Sequence, residues 1–306
     1  MPPMTTRNAA IDVYRCLLMM GISLLHCITQ GGHNIPWAAN SLEWCVTGFA
    51  VISGWFGVRF SPVKLFKLYA MSLYCAIVIS FVNAVAGIGG FSVREVWSIA
   101  VGQWYLNAYA VLMCCAPVLN EGCKSVKVIS PIVLCAFGWS FATTLPVIRE
   151  IVPHTAGLEA YSFMTLIGTY CVARILRQRK EHYCRLWRGR QIAVSVLAIS
   201  LLIAALGLGD YNSPFALLIA ATSFYLVKSV QFPAVVGRTC SLLGPSMFCV
   251  YLLQSSGCTW WAIQRIEDAM LGVGLPLFLT FICASIVLFA VCVAIDIPRR
   301  LLARWL

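Results

Sequence analysis

The stretch IDVYRCLLMMGISLLHCI at residues 11–28 decides the fold class of this chain. It is apolar over most of its length and approaches the roughly 20 residues that an α-helix needs to cross a bilayer. Asp12, Arg15 and His26 interrupt it, although an ionisable side chain at the centre of a membrane helix costs about 2.5 to 3.5 kcal/mol on insertion scales. Because Arg15 lies within the run and no small-residue cleavage site ends it, the segment is not a cleavable signal peptide. It is predicted to be a membrane helix that carries functional side chains.

The composition extends this interpretation to the whole chain. Hydrophobic residues make up 60% of the 306 residues and charged residues only 11%, whereas a soluble domain carries about 25% charged residues. The same composition excludes intrinsic disorder and collagen-like repeats. We therefore predict an all-α polytopic membrane protein.

Ten segments are long and apolar enough to be membrane helices. They cover residues 11–28, 42–58, 68–86, 103–119, 128–145, 160–176, 192–208, 213–230, 242–260 and 276–297. The less apolar segment 91–102 is interpreted as an outer loop or an interfacial turn. The ten predicted spans form a single transmembrane domain over residues 1–306, and we expect no appended soluble domain.

The basic residues predict how these helices are oriented. With ten spans and a cytoplasmic N-terminus, all but four of the 22 lysines and arginines fall on the cytoplasmic side, in agreement with the positive-inside rule. Arg94, Arg149 and Arg265 fall outside, and Arg15 lies within the membrane. The net charge of +11 therefore reflects topology, with both termini cytoplasmic, and not nucleic-acid binding. The densest basic cluster, residues 174–190, is interpreted as an anchor to acidic lipid headgroups or as a binding site for a phosphorylated donor.

The fifteen cysteines are spread over almost every apolar segment. None forms a Cys-x-x-Cys pair or lies at zinc-finger spacing from a histidine, so no metal site is predicted. A cysteine in a membrane helix is most simply a small apolar packing residue. Only Cys27, beside His26, is kept as a candidate site residue.

The ionisable residues of the first span are spaced as if they share a site. Asp12 and Arg15 are three residues apart, so they can pair on one helix face. The eleven steps from Arg15 to His26 make about three turns, which places both side chains on the same face, roughly 16 Å apart along the axis. This arrangement suits an anionic donor that enters from the cytoplasm and presents a reactive carbonyl deeper in. On spacing alone, a topology-setting arginine and an interfacial histidine are the alternative.

Several short motifs, taken in order, resemble the acyltransferase-3 family of membrane acyltransferases. That family opens with an aspartate, an arginine, ten further residues and a histidine, and residues 11–26 keep this pattern. FAVISG at 49–54 resembles its Ser-Gly second helix, and KLFK at 64–67 is similar to its basic pair on the cytoplasmic side. WYL at 104–106 resembles its Trp-Phe-Leu helix start. LGPSM at 243–247, followed by YLLQ at 251–254, resembles its late helix, which commonly reads serine, Tyr-Leu, then histidine.

The resemblance covers nearly the whole chain and implies a specific chemistry. Members of the family move an acyl group, usually acetyl, to a sugar hydroxyl, with no bound cofactor and with acetyl-CoA or another acyl-CoA as co-substrate. His26 is then the candidate general base or transient acyl carrier. Gln254 replaces the usual second histidine, which leaves open any role of that side chain in acceptor binding.

The same resemblance gives roles to several other residues. Arg15, Lys64 and Lys67 would bind the coenzyme A phosphates; plain positive-inside anchoring is the alternative. Glu43, predicted at the depth of His26, is a second catalytic candidate that could orient the imidazole, or it is a surface glutamate. The supporting candidates are Asp12, Ser53, Trp104, Tyr105, Tyr251 and Gln254.

Two of these supporting groups have structural alternatives. Ser53 and Gly54 are expected to permit close helix packing more than to act in catalysis. Trp104 and Tyr105 are either part of an aromatic belt at the membrane surface or a platform on which a sugar stacks.

These observations predict a multi-pass O-acyltransferase of the cytoplasmic (inner) membrane. Its expected partners are an acyl-CoA donor, membrane lipids and a cell-surface or lipid-linked glycan acceptor. A transporter or flippase for a small solute or lipid-linked sugar is the alternative from a different functional class.

Overall fold

The computed structural model describes residues 8–142, 163–181, 189–208 and 213–302. Within these ranges the chain forms helices and no strand. The α-helices are α1 (Ala9–Gln30), α2 (Pro36–Asn40), α3 (Trp44–Phe56), α4 (Pro62–Ala86), α5 (Val93–Val101), α6 (Trp104–Gly122), α7 (Val126–Ala142), α8 (Phe163–Gln178), α9 (Arg190–Ile203), α10 (Pro214–Lys228), α11 (Ala234–Leu243), α12 (Met247–Gln254), α13 (Gly257–Gly272) and α14 (Leu277–Leu302). A π-helical turn, Ala204–Leu208, extends α9, and the 3₁₀ turn Gly244–Ser246 joins α11 to α12.

Five of these helical segments are long and apolar enough to cross a membrane. They are Ala9–Gln30, Pro62–Ala86, Arg190–Leu208, Ala234–Gln254 and Leu277–Leu301. The pair α5 and α6 makes a sixth candidate if the two helices, bent by 55° relative to each other, count as one span. The protein is therefore a helical, multi-pass membrane protein, as predicted. A helix occupies each of the ten predicted positions over its described part, but several of these helices are short, and the count of ten crossings stays a prediction.

Local sequence signals account for where the helices begin and end. The side chain of Asn8 accepts from the backbone N–H of Ala10 at the start of α1. Ser61 caps α4 in the same way, with Pro62 in the first turn, where a missing N–H costs nothing. Gly57 ends α3 at φ 77°, a left-handed conformation that favours glycine.

Two predicted boundaries were wrong, for identifiable reasons. Segment 91–102 contains the helix α5, because Ser92 accepts from the N–H of Glu95 in a capping arrangement. The ninth span was predicted at 242–260, but the helical segment runs from Ala234 to Gln254. It stops there because the hydroxyls of Ser255 and Ser256 bond to the carbonyls of Tyr251 and Leu253 and compete with helix continuation.

Helix α1 lies at the centre of the fold. It is the most buried of the five candidate spans and packs against α3, α10, α11, α12, α13 and α14. Asp12 contacts Ser241, and His26 contacts Gln254, so α1 and the α11–α12 segment run parallel at a nearly constant residue offset. Arg300 of α14 donates to Ser246, so the last helix returns toward the side where α1 begins. The ionisable residues of α1 thus contact other helices of the protein, with Asp12 buried and Arg15 and His26 half-buried.

Helix α3 packs closely against α8 at Gly54, and this contact fixes the position of α3. A Cβ atom on Gly54 would lie 2.3 Å from the carbonyl oxygen of Tyr170 and 2.8 Å from the Cβ of Ala173. Only glycine permits this approach. The structural interpretation of Gly54 is therefore confirmed.

Candidate active site

A cavity of about 230 Å³ lies along one face of α1. Arg15, Met19 and Ile22 line it from successive turns of that helix, and His26 is the next residue on the same face, one turn further. We call this space the Arg15 cavity. Its other walls are Val46, Phe49, Ile52 and Ser53 of α3, Leu68 of α4, Tyr105 and Tyr109 of α6, and Gly244, Met247, Phe248 and Tyr251. The predicted common face of Arg15 and His26 is therefore present, and it borders an enclosed space.

Asp12 holds the guanidinium of Arg15 at the mouth of this cavity. Arg15 Nη1 lies 3.3 Å from Asp12 Oδ1, and the hydroxyl of Ser241 donates to Asp12 Oδ2 at 3.1 Å. Asp12 is 1% exposed, whereas the side chain of Arg15 is 34% exposed. The buried carboxylate thus fixes the arginine while part of the guanidinium stays accessible to an anion.

His26, near the other end of α1, is held by a residue of α12. Its Nδ1 lies 3.3 Å from Gln254 Oε1, and Gln254 Nε2 donates to the hydroxyl of Ser23 at 2.8 Å. Ser23 in turn donates to the carbonyl of Met19 at 2.9 Å. The structure thus brings together two residues that are 228 positions apart in sequence, and it gives Gln254 a direct contact with His26.

A second, more polar space lies beyond Gln254. This space of about 600 Å³, which we call the Gln103 cleft, is lined by Ile79, Asn83, Ser92, Arg94, Glu95, Ser98, Ile99, Gly102, Gln103, Ser255, Ser256 and Gly257. Gln103 is only 6% exposed, yet its side chain makes no hydrogen bond to the described residues. Its amide lines the cleft and is therefore a hydrogen-bonding group available to a ligand or water.

The His26–Gln254 pair lies between these two spaces. Tyr251, one turn before Gln254, lines the Arg15 cavity, and Ser255, directly after it, lines the Gln103 cleft. His26 itself lines neither space. A substrate in either one must therefore reach the imidazole past the partition formed by these side chains.

Aromatic rings line the Arg15 cavity around Tyr251. The ring centroids of Tyr105 and Tyr251 are 5.4 Å apart, and Tyr109 stacks on Tyr105 at 6.4 Å. Because Tyr105 is buried and lines the Arg15 cavity, it does not belong to a lipid-facing belt. Trp104 packs edge-on against Tyr105 at 5.4 Å, with its side chain partly exposed.

The predicted donor lysines lie at the start of α4. Lys64 and Lys67 are both exposed. Lys64 is one turn before Leu68, which lines the Arg15 cavity, and so it lies on the same helix face as that residue. This position is compatible with the predicted phosphate contacts, which stay a prediction.

The roles predicted for Glu43, Ser53 and Cys27 stay predictions, and the structure gives the contacts of each. Glu43 directly precedes α3 and is partly buried, but within the described residues the hydrogen bond to His26 comes from Gln254 and not from Glu43. Ser53 bonds to the carbonyl of Phe49 and also lines the Arg15 cavity. Cys27 is fully buried, consistent with packing.

Sequence reasoning missed three polar residues that the fold makes prominent: Ser23, Gln103 and Glu267. Glu267 lies in α13, outside the candidate spans, and its carboxylate packs against Gly31 at the end of α1. Neither oxygen has a hydrogen-bond partner in the described structure, and burial, helped by the nearby Asp268, raises the pKa of this carboxyl to about 7. No local motif marks any of the three, since their importance depends on neighbours distant in sequence.

The fold and site together define a class: a multi-pass membrane protein in which a half-buried imidazole lies near an apolar cavity and a polar cleft. A family model described as an acyltransferase domain, of the acyltransferase-3 type, matches residues 8–297, nearly the whole chain. The chain belongs to the acyltransferase-3 family, and the resemblance seen in its motifs is confirmed. No curated protein and no solved structure matches it.

Proposed function

We propose that this protein is an O-acyltransferase that moves an acetyl or other short acyl group from acyl-CoA to a sugar hydroxyl of a cell-surface or lipid-linked glycan. The observation that carries the proposal is the position of His26 and Gln254 between two spaces of different character. Such an arrangement allows two substrates to approach one imidazole from opposite directions.

The Arg15 cavity supports binding of the donor. At about 230 Å³ it is smaller than the roughly 300 to 1,000 Å³ of common ligand pockets, so it cannot hold a whole coenzyme A. It suits the narrow arm that carries the thioester. The phosphates would stay at the mouth, where Arg15, Lys64 and Lys67 offer charge-assisted hydrogen bonds.

The Gln103 cleft supports binding of the acceptor. Its walls carry hydroxyl, amide and charged groups, which match the hydroxyls of a saccharide. Trp104 and Tyr105 follow Gln103 directly, so an aromatic face is available near the amide.

The proposed chemistry is general-base catalysis. The acceptor oxygen attacks the thioester carbonyl carbon while His26 takes the hydroxyl proton. When the tetrahedral intermediate collapses, the carbon–sulfur bond breaks, and the imidazolium returns its proton to the leaving sulfur. The products are the acylated sugar and free coenzyme A, so His26 ends in its starting state.

The proposal includes a topology of ten crossings in the cytoplasmic membrane, with both termini in the cytoplasm. The positive-inside distribution supports this orientation, as does the return of α14 toward the start of α1. In this orientation the mouth of the Arg15 cavity faces the cytosolic pool of acyl-CoA, and the Gln103 cleft faces outward.

Turnover tests the proposal directly. The purified protein in lipid nanodiscs should release coenzyme A from acetyl-CoA in the presence of a saccharide acceptor, and His26→Ala should not. Mass spectrometry of surface glycans from cells with and without the gene should show a gain of about one acetyl unit. Uptake of a labelled sugar or lipid-linked saccharide into vesicles without acetyl transfer would instead identify a transporter.

A further inference from the structure

The hydrogen bonds around His26 form a chain whose other two side chains, Ser23 and Gln254, are buried. Ser23 and Gln254 are both 0% exposed, so their polar groups must find hydrogen-bond partners within the protein. From His26 Nδ1 the chain runs through the Gln254 amide and the Ser23 hydroxyl to the carbonyl of Met19. The direction in which protons point along this chain determines which nitrogen of His26 is free.

Two proton arrangements are conceivable. In the first, Ser23 donates to Met19, the amide NH₂ of Gln254 donates to Ser23, and the amide oxygen accepts from Nδ1–H of His26. In the second, Ser23 donates to the amide oxygen, and the NH₂ donates to an unprotonated Nδ1. The first arrangement makes three hydrogen bonds and the second makes two. Because Ser23 and Gln254 are buried, the arrangement that satisfies more donors and acceptors is favoured.

From this count we infer that Ser23 and Gln254 are positioning residues that hold His26 as the neutral tautomer with its proton on Nδ1. The lone pair is then on Nε2, which makes no hydrogen bond to the described residues. The catalytic meaning of this assignment rests on the proposed acyl transfer, in which Nε2 accepts the hydroxyl proton. The assignment of the tautomer itself does not depend on the proposed function.

The amide of Gln254 differs in one physical respect from a carboxylate at the same position. A carboxylate in this position would fix the same tautomer but would bury a negative charge beside the imidazole. Gln254 fixes the tautomer without that charge, so the desolvation of an ion is avoided. The substitution of glutamine for the family's common histidine thus keeps a group that can accept from Nδ1.

Nitrogen NMR can read the tautomer without any enzyme assay. The chain has only four histidines, so ¹⁵N-histidine labelling in nanodiscs gives few signals, and the loss of a signal in His26→Gln assigns His26. We expect a protonated Nδ1 and an unprotonated Nε2 in the parent protein. A parent protein protonated on Nε2 would overturn the inference, whether or not the protein transfers acyl groups.

Variants of the chain test the cause. Ser23→Ala removes the acceptor for the amide NH₂, so part of the His26 population should move to the Nε2–H tautomer. Ser80→Ala is the matched control, because Ser80 is also fully buried in a candidate membrane helix but its hydroxyl has no partner in the described structure. Gln254→Glu should keep Nδ1 protonated, since a carboxylate only accepts.

Kinetic measurements distinguish a positioning role of Ser23 from a role in packing alone. If acyl transfer is present, Ser23→Ala should lower kcat about tenfold with both KM values unchanged, well short of the about 10⁴-fold loss caused by a fixed wrong tautomer in a serine protease. Ser80→Ala should leave kcat within twofold. An unchanged ¹⁵N spectrum in Ser23→Ala, or an equal loss in Ser80→Ala, would refute the positioning role. Absence of turnover together with the expected spectrum would refute the proposed function alone.

Discussion

The Arg15 cavity and the Gln103 cleft lie on either side of Gln254, since Tyr251 lines the first and Ser255 the second, but their walls carry different side chains. The cavity is lined by apolar and aromatic groups and, among the described residues, by one cation, Arg15. The cleft is larger, and its walls carry hydroxyl, amide and charged groups. This difference matches a narrow thioester arm that ends in phosphates on one side and a hydroxyl-rich acceptor on the other.

Replacement of the imidazole between the two spaces should have the largest effect. His26→Ala and His26→Gln should each reduce transfer about 100-fold to 10,000-fold, the usual range for a positioned general base, with normal insertion and expression. His33→Ala, which changes an exposed histidine just beyond α1, is the control. Transfer by His26→Gln within a few-fold of the parent would show that the imidazole is not the base.

The next largest effect is expected at the mouth of the Arg15 cavity. Lys64→Ala combined with Lys67→Ala should raise the KM for acetyl-CoA about tenfold, because each hydrogen bond to a charged group contributes about 1.5 to 3 kcal/mol, less for exposed lysines. The KM for the acceptor should not change. Lys124→Ala with Lys127→Ala has the same spacing on two exposed lysines, one just before α7 and one in its first turn. An equal rise in this control pair would mean that general surface charge, and not a donor site, is responsible.

A smaller effect, on the acceptor instead of the donor, is expected from a substitution in the Gln103 cleft. Gln103→Ala should raise the KM for the acceptor about fivefold, because one neutral hydrogen bond is worth about 1 kcal/mol, and should leave the KM for acetyl-CoA unchanged. Gln178→Ala alters an exposed glutamine at the end of α8 and should change neither constant. If Gln103→Ala raises the KM for the donor instead, the assignment of the two spaces is reversed.

Glu267 lines neither space, and its replacement should alter stability but not transfer. The pKa of this carboxyl is raised to about 7 in the folded protein from an ordinary value of 4.5. The protonated carboxyl therefore makes its full contribution to the free energy of unfolding below about pH 4.5. This contribution is lost as the pH rises through about 7. The total is on the order of 3 kcal/mol.

Thermal unfolding between pH 5 and pH 8 measures this effect. The parent protein should lose several degrees of Tm over that range, and Glu267→Gln should lose much less, with unchanged kcat. Glu121→Gln, at an exposed glutamate, should behave like the parent. A parent protein with a flat Tm over this range would contradict the buried, unpaired state of Glu267.

The sequence by itself determined the fold class and the family. Apolar runs of membrane length are a local property, so they predict helices without knowledge of the partners. The pairing of Asp12 with Arg15 and the common face of Arg15 and His26 follow from the α-helical period, and the structure has both. The capping signal Ser92-x-x-Glu95 was also readable, although the segment was interpreted as a loop or turn.

Only the tertiary structure decided which side chains meet at the site. Gln254 reaches His26 because α1 and the α11–α12 segment run parallel, and Tyr105 faces a cavity instead of lipid because α6 packs against α12 through Tyr251. The predicted partnership of Glu43 with His26 stays a prediction, because it was argued from depth in the membrane, and depth does not specify which helices are neighbours. Contacts between helices far apart in sequence depend on packing around the whole chain, and no local pattern encodes that packing.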